Sequence, residues 1–269
     1  MDRYRLKNII ILILLLMNLF LLGSLAQRRA AEAASYRNTV EQMAVLFAAD
    51  GIDLNTEAIP RTQPGPVLSL TRSAELEREA AVFLLGGDVS MADQGGGIST
   101  YSGENGAALF RSNGSFDAAG TLARDNAQRF CRDFCRSFGF SEPDFRLQPD
   151  GSGSAAATRI WDRQEVLNCT VTFTLTNGAV TAVSGTLLPD VSAELPDQEP
   201  PLSALAALTA FQQLRKETGA VVTAVSGISL CYEFQSTTAL PMVLTPAWCI
   251  DTNTAKYYVN STTGAVQLL

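Results

Sequence analysis

Three patterns of hydrophobic and polar positions follow one another along the 269-residue chain. The first, "IIILILLLMNLFLLGSLA" (residues 9–26), holds 18 positions without a charge. At the helical rise it covers roughly 27 Å, close to a ~30 Å hydrocarbon core. The second, "QRRAAEAASYRNTVEQMAVLF", carries apolar residues at helical spacing up to a glycine stop at Gly51. The third, from "GIDL" onward, mixes further helical stretches with short alternating runs bounded by Gly, Asn and Pro. The expected organisation is a cytoplasmic tail (1–7), a transmembrane helix (8–26) and a juxtamembrane helix (27–50). Two α+β subdomains (51–118 and 119–269) follow.

Within the first pattern, Asn18 is a carboxamide surrounded by hydrocarbon. Ile11, Leu15, Asn18 and Leu22 are spaced 4-3-4 and share one helix face. Five turns further on, an unbroken helix brings that face to Tyr36, then Val40, Met43 and Phe47. These eight positions are the candidate partner contacts. A membrane hydrogen bond from Asn18 is worth ~0.6–2 kcal/mol. Taken alone, the residues leave both a specific contact and simple tolerance of one amide open.

Arg3, Arg5 and Lys7 precede the span, while Arg28 and Arg29 follow it, so charge favours a cytoplasmic N-terminus only weakly. "SLA" before Gln27 also fits a signal-peptide cleavage site. The long apolar core and the helix running on past residue 27 favour an uncleaved anchor, with the remainder of the chain exported as an extracellular domain.

In the third pattern, "SAELEREAAVFLLGG" reads as a helix capped by Ser73 and stopped by Gly86-Gly87. Residues 98–117 read as a meander of three short strands, turning at Glu104-Asn105-Gly106 and Asn113-Gly114. "AGTLARDNAQRFCRDFCRSFGF" sets Phe130, Phe134 and Phe138 on one stripe, the spacing of a core-facing helix. "QPDGSGSAAA" (148–157) reads as a flexible loop. "TRIWDRQEVLNCTVTFTLTNGAVTAVSGTLL" reads as long strands turning at Asn177-Gly178. Residues 201–217 form a last helix and "AVVTAVSGISLCYEF", "LTPAWCI", "AKYYVN" and "AVQLL" a last set of four strands. Helices segregated from antiparallel strands define the class as α+β.

Composition narrows the chemistry. The net charge is −7, with three lysines and no basic stripe, which argues against a nucleic-acid partner. The chain has no histidine, so His-based triads, metal sites and pH switches are excluded. The five cysteines lack zinc-site or disulfide-framework spacing and read as small buried hydrophobes. No SxxK, GxSxG, P-loop or GxGxxG motif stands in the required context. "GGDVSMADQGGG" offers Asp88 and Asp93 but lacks the ligand period of a calcium loop and reads as mobile. Asp88, Asp93, Glu142 and Asp144 are the carboxylates to scan for hidden activity. No catalytic residue, metal or cofactor is expected, and the protein reads as a non-enzyme.

Three stretches carry a family resemblance: "MDRYRLKNIIILILLLMNLFLL", "LFAADGIDLNTEAIP" and "LTPAWCIDTNTAKYYVNSTTGAV". Together they resemble the YycI/YycH family of cell-envelope regulators in low-GC Gram-positive bacteria, with more of YycI in the length. The last stretch is also similar to PepSY-type modules. The resemblance implies an accessory regulator of a WalK (YycG)-type sensor histidine kinase that controls cell-wall metabolism. It implies contacts between transmembrane helices, extracellular association with a YycH-like partner, and a polar contact at Asn18 that sets helix register. The alternative is a PepSY-type binding or inhibitor module for which the span is only a tether.

Overall fold

A computed structural model describes residues 2–189, 191–195, 200–237 and 240–268. Helix α1 runs unbroken over Asp2–Ala49, 48 residues, or roughly 72 Å at the helical rise. Its end is a Schellman cap. Gly51 takes φ +75°, its N–H donates to Ala48 O, and the Ile52 N–H donates to Phe47 O, both at 3.0 Å.

The chain then forms β1 (Asp53–Leu54), a 3-10 turn at Thr56–Ala58 and β2 (Leu68–Leu70). Three units of one helix followed by four strands come next. The first is α2 (Ala74–Leu85) with β3 (Ser90–Gly95), β4 (Ile98–Gly103), β5 (Gly106–Arg111) and β6 (Ser115–Ala123). The second is α3 (Ala127–Ser137) with β7 (Asp144–Leu147), β8 (Gly153–Trp161), β9 (Gln164–Thr176) and β10 (Ala179–Thr186). After β11 (Val191–Glu194), the third is α4 (Ala204–Thr218) with β12 (Ala224–Thr237), β13 (Leu240–Thr252), β14 (Lys256–Asn260) and β15 (Val266–Leu268). Ser73 and Ser203 cap α2 and α4 by accepting from the Leu76 and Ala206 N–H groups.

The expected α+β class is what the structure shows. The strands of the first two units form one antiparallel array, in the order β7-β8-β9-β10-β6-β5-β4-β3. The third unit adds β12-β13-β14-β15. The two arrays join where β9 runs parallel to β12, Val166 opposite Tyr232 and Leu167 opposite Glu233. The first array is backed by α2 and α3, with Phe110, Phe116, Phe134 and Phe173 all fully buried. The aromatic stripe of α3 is core, as expected: the Phe134 ring lies 4.6 Å from that of Phe138 and 5.6 Å from that of Phe173. The second array is backed by α4 and the end of α1, around Phe211, Trp248 and Ile250.

Three expectations need correction. The boundary at 118/119 falls inside β6, whose strand pairs with both β5 and β10. The mobile loop expected at 86–97 contains the edge strand β3, paired with β4 from Ser90 opposite Ser102 to Gly95 opposite Ile98. The flexible segment 148–157 is a turn followed by β8, where small side chains suit a centre packed on Phe140 and Phe173.

A partly buried ion pair fixes α2 to the β3–β4 hairpin. Arg72 Nε and Nη2 donate to the two Glu77 carboxylate oxygens at 2.6 and 2.9 Å. Its Nη1 reaches Gly97 O and its Nη2 also reaches Ser99 Oγ, both at 3.0 Å. The Glu77 side chain is 9% exposed, so removing it strands a half-buried guanidinium. Glu77→Ala is expected to cost about 3 kcal/mol, and the double change Glu77→Leu with Arg72→Met to recover most of that. A denaturant double-mutant cycle checks it; a single-mutant loss under about 1 kcal/mol would make the pair an ordinary surface bridge.

Candidate functional site at the helix–domain seam

The eight candidate contacts lie on one continuous face, because α1 has no break between them. Asn18 and Tyr36 are 18 residues apart, five helical turns, so they point the same way. The upper and lower halves of the stripe differ in what they meet. Leu15, Asn18 and Leu22 are exposed along the apolar half of the helix, while the side chain of Ile11 is outside the described residues. The helix is long and apolar enough to cross a membrane.

The upper half is already occupied, and by this chain itself. Phe47 is 0% exposed and lies in the second core with Ile52, Phe211 and Trp248. Its ring stacks on Phe211 at 6.4 Å, and Phe211 meets Tyr257 edge-on at 4.8 Å. Tyr36, Val40 and Met43 pack against the same core. The expectation that these four side chains form a free face for a second protein is therefore corrected. An amphipathic helix end buries its stripe against the nearest apolar surface, and here that surface belongs to the folded domain.

Polar contacts lock the same seam. Asp50 accepts from Gln212 Nε2, Arg215 Nη2 lies 3.3 Å from it and Lys216 Nζ 3.0 Å. The hydrogen bond from Lys216, with the positive charge of Lys216 and Arg215, holds the Asp50 carboxyl below its ordinary range. Its contribution to stability is thus present above the ordinary aspartate pKa and is lost as pH falls through the depressed folded value. Acid is expected to loosen the α1–α4 contact, which a pH series of denaturant midpoints with Asp50→Asn as control would read.

At the membrane-proximal end of the seam, Tyr36 Oη donates towards Ile59 O and Pro60 O at 3.5 and 3.3 Å. The Arg61 guanidinium sits 5.0 Å above the Tyr36 ring. Burial raises the Tyr36 pKa and the Arg61 charge partly offsets that. Beside this contact a cleft of about 320 Å³ is lined by Tyr36, Arg37, Val40, Glu41, Thr56, Glu57, Ile59 and Arg61. Of these lining residues only Tyr36 and Val40 lay on the expected stripe.

The other singled-out carboxylates are scattered. Glu142 pairs with Arg132 and Asp144 with Arg146, while Asp93 accepts from the Gly95 N–H. Among the described residues, no three or more Cys, Asp or Glu side chains are gathered to hold a metal ion. All five cysteines are free and buried. Burial pushes the Cys131, Cys135 and Cys169 thiols up to about 12, and those of Cys231 and Cys249 upward as well.

No family model matches the chain, and no curated protein matches it. Among solved structures, it is similar to an uncharacterized protein from Eubacterium rectale (10% identity, 81% of this chain and 90% of that one, TM-score 0.45). It is also similar to the Bacillus megaterium YpeB C-terminal domain (14% identity, 74% and 99%, TM-score 0.37). YycH from Bacillus subtilis is a third such structure (11% identity, 78% of this chain and 53% of that one, TM-score 0.39).

Proposed function

We propose that the protein is a single-pass, membrane-anchored accessory regulator, its N-terminus cytoplasmic and its folded domain outside. The partner implied by the family resemblance is a WalK-type sensor histidine kinase, with a YycH-like protein beside it. The observation that favours this over a simple tether is the seam: one helix runs from the apolar segment into the domain core without a joint. A tether needs slack, whereas a clamped helix makes the orientation of the domain and of Asn18 a single quantity.

The geometry adds a constraint. The domain packs on the face that carries Asn18, so a partner helix meeting Asn18 rises towards the underside of the domain. One partner can then touch both parts. In this reading the protein acts by contact, biasing a kinase between two arrangements of its membrane helices. A bilayer hydrogen bond of ~0.6–1.7 kcal/mol shifts such an equilibrium roughly 3- to 20-fold.

Alanine insertions between Ala30 and Ala31 test the coupling. Each turns Asn18 about 100° relative to the domain. Kinase output, read from a reporter of its response regulator, is expected to change with one or two insertions. Four, which return the face to within about 40°, should restore it. A flat series, or normal output when an unrelated hydrophobic helix replaces residues 8–26, would establish the tethered binding module instead.

A further inference from the structure

The cleft at the foot of the seam has the chemistry of a zwitterion receptor. Two guanidiniums, Arg37 and Arg61, and two carboxylates, Glu41 and Glu57, line it together with an apolar floor of Tyr36, Val40 and Ile59. Among the described residues, no ion pair consumes any of these four charged groups, although Arg37 and Glu41 stand one turn apart on α1. Unpaired charges of both signs on the walls of one cleft are suited to a ligand that brings the complementary pair.

The ligand's length follows from the spacing. Arg37 and Glu41 are offset by four residues, about 6 Å along the axis. Two extended residues span roughly 6–7 Å, so a dipeptide can set its carboxylate against Arg37 and its ammonium against Glu41, with Arg61 and Glu57 lining the same cleft. A free amino acid is too short to reach both ends. The cleft volume of about 320 Å³ is at the small end of ligand sites.

A membrane lipid is the competing source of such a head group, and height decides against it. Arg37 lies ten residues beyond Gln27, about 15 Å along the helix. The head-group layer is only about 5–7 Å deep, and even a downward-reaching arginine ends near its outer limit, with Glu41 a further turn away. We infer that this cleft binds short peptides with free amino and carboxyl termini, bridging α1 to the Thr56–Arg61 segment.

The test is titration of the full-length protein in nanodiscs with Ala-Ala, N-acetyl-Ala-Ala, Ala-Ala amide and glycerophosphoethanolamine, followed by saturation-transfer NMR. Saturable binding of Ala-Ala is expected, weakened about tenfold by either cap, the loss of one charge-assisted contact. Arg61→Gln should abolish the penalty of the C-terminal amide, and Glu41→Gln should reduce that of the acetyl group. These side chains are exposed, so unchanged thermal melts certify the fold. Absent binding, equal binding of the capped peptides, or binding of glycerophosphoethanolamine alone would each overturn the assignment. No kinase is involved in the measurement, so such a failure leaves the regulator reading intact.

Discussion

Phe47→Ala lowers the stability of the folded domain by about 4 kcal/mol, the largest loss expected from a single change in α1. The side chain is fully buried, stacked on Phe211 and packed beside Ile52, so its removal forfeits transfer free energy and leaves a cavity that a helix end and a sheet cannot collapse to fill. Val45 is the control. It is 69% exposed on the opposite side of the same turn, and Val45→Ala is expected to change stability by less than about 0.5 kcal/mol. Denaturant unfolding of the full chain in detergent micelles, followed by tryptophan fluorescence, distinguishes the two; Trp248 lies in the same core as Phe47. A Phe47→Ala loss no larger than that of Val45→Ala would return the stripe to its first reading, a face awaiting a second protein. A domain expressed from Gly51 onward should suffer at least the Phe47→Ala loss, because Tyr36, Val40 and Met43 go with it.

That correction marks where the sequence was informative and where it was not. The periodicity of α1 announces a single face from Ile11 to Phe47, and the unbroken helix keeps it. Periodicity gives the direction of a face but not its occupant. One partner of Asp50 is Gln212, 162 residues away in sequence, with Arg215 and Lys216 beside it, and nothing local marks these residues for one another. The cleft was illegible for the same reason: Arg37 and Glu41 share it with the Thr56–Arg61 segment only once the fold brings that segment beside them.

Strand β3 was missed because all six of its residues are exposed, so it has no alternation to read and its glycines signal a loop. Its conformation comes from backbone pairing with β4, a tertiary effect. The start of β8 hides differently: Ala155 and Ala157 do alternate inward, but alanine is too weakly apolar to show a strand. The features read correctly rest on strong local chemistry. Asn177 and Gly178 both take positive φ, 50° and 76°, as a two-residue hairpin requires. Ser73 caps α2 and Gly51 ends α1 for equally local reasons.

Alkaline pH should unfold this protein steeply, because its thiols are buried as neutral groups. Cys131, Cys135 and Cys169 are pushed up to about 12 by desolvation, Cys131 also by its neighbour Cys135 one turn away. In the unfolded chain the same thiols ionise near pH 8.5. Between those values the folded state binds more protons than the unfolded one, so the stability held below pH 8.5 is lost as pH rises towards 12. Each of these thiols contributes a slope of about −1 kcal/mol per pH unit, roughly −3 to −4 for the three together. Cys231, raised by burial and by the charge of Cys249, and Cys249, raised by burial and by the charge of Asp251, steepen it. A domain of ordinary stability, about 5–15 kcal/mol, is then exhausted within roughly two to four pH units above 8.5. Denaturant midpoints taken at pH 8, 9.5 and 10.5 measure the slope, and Cys169→Ala should flatten it by about one thiol's share even though the variant starts from a lower stability. The same burial keeps all five thiols unreactive towards iodoacetamide at pH 8 until the chain unfolds. Rapid alkylation of the native protein, or stability constant from pH 8 to 10.5, would place ionisable thiols at the surface and contradict the packing of α3, β9, β12 and β13.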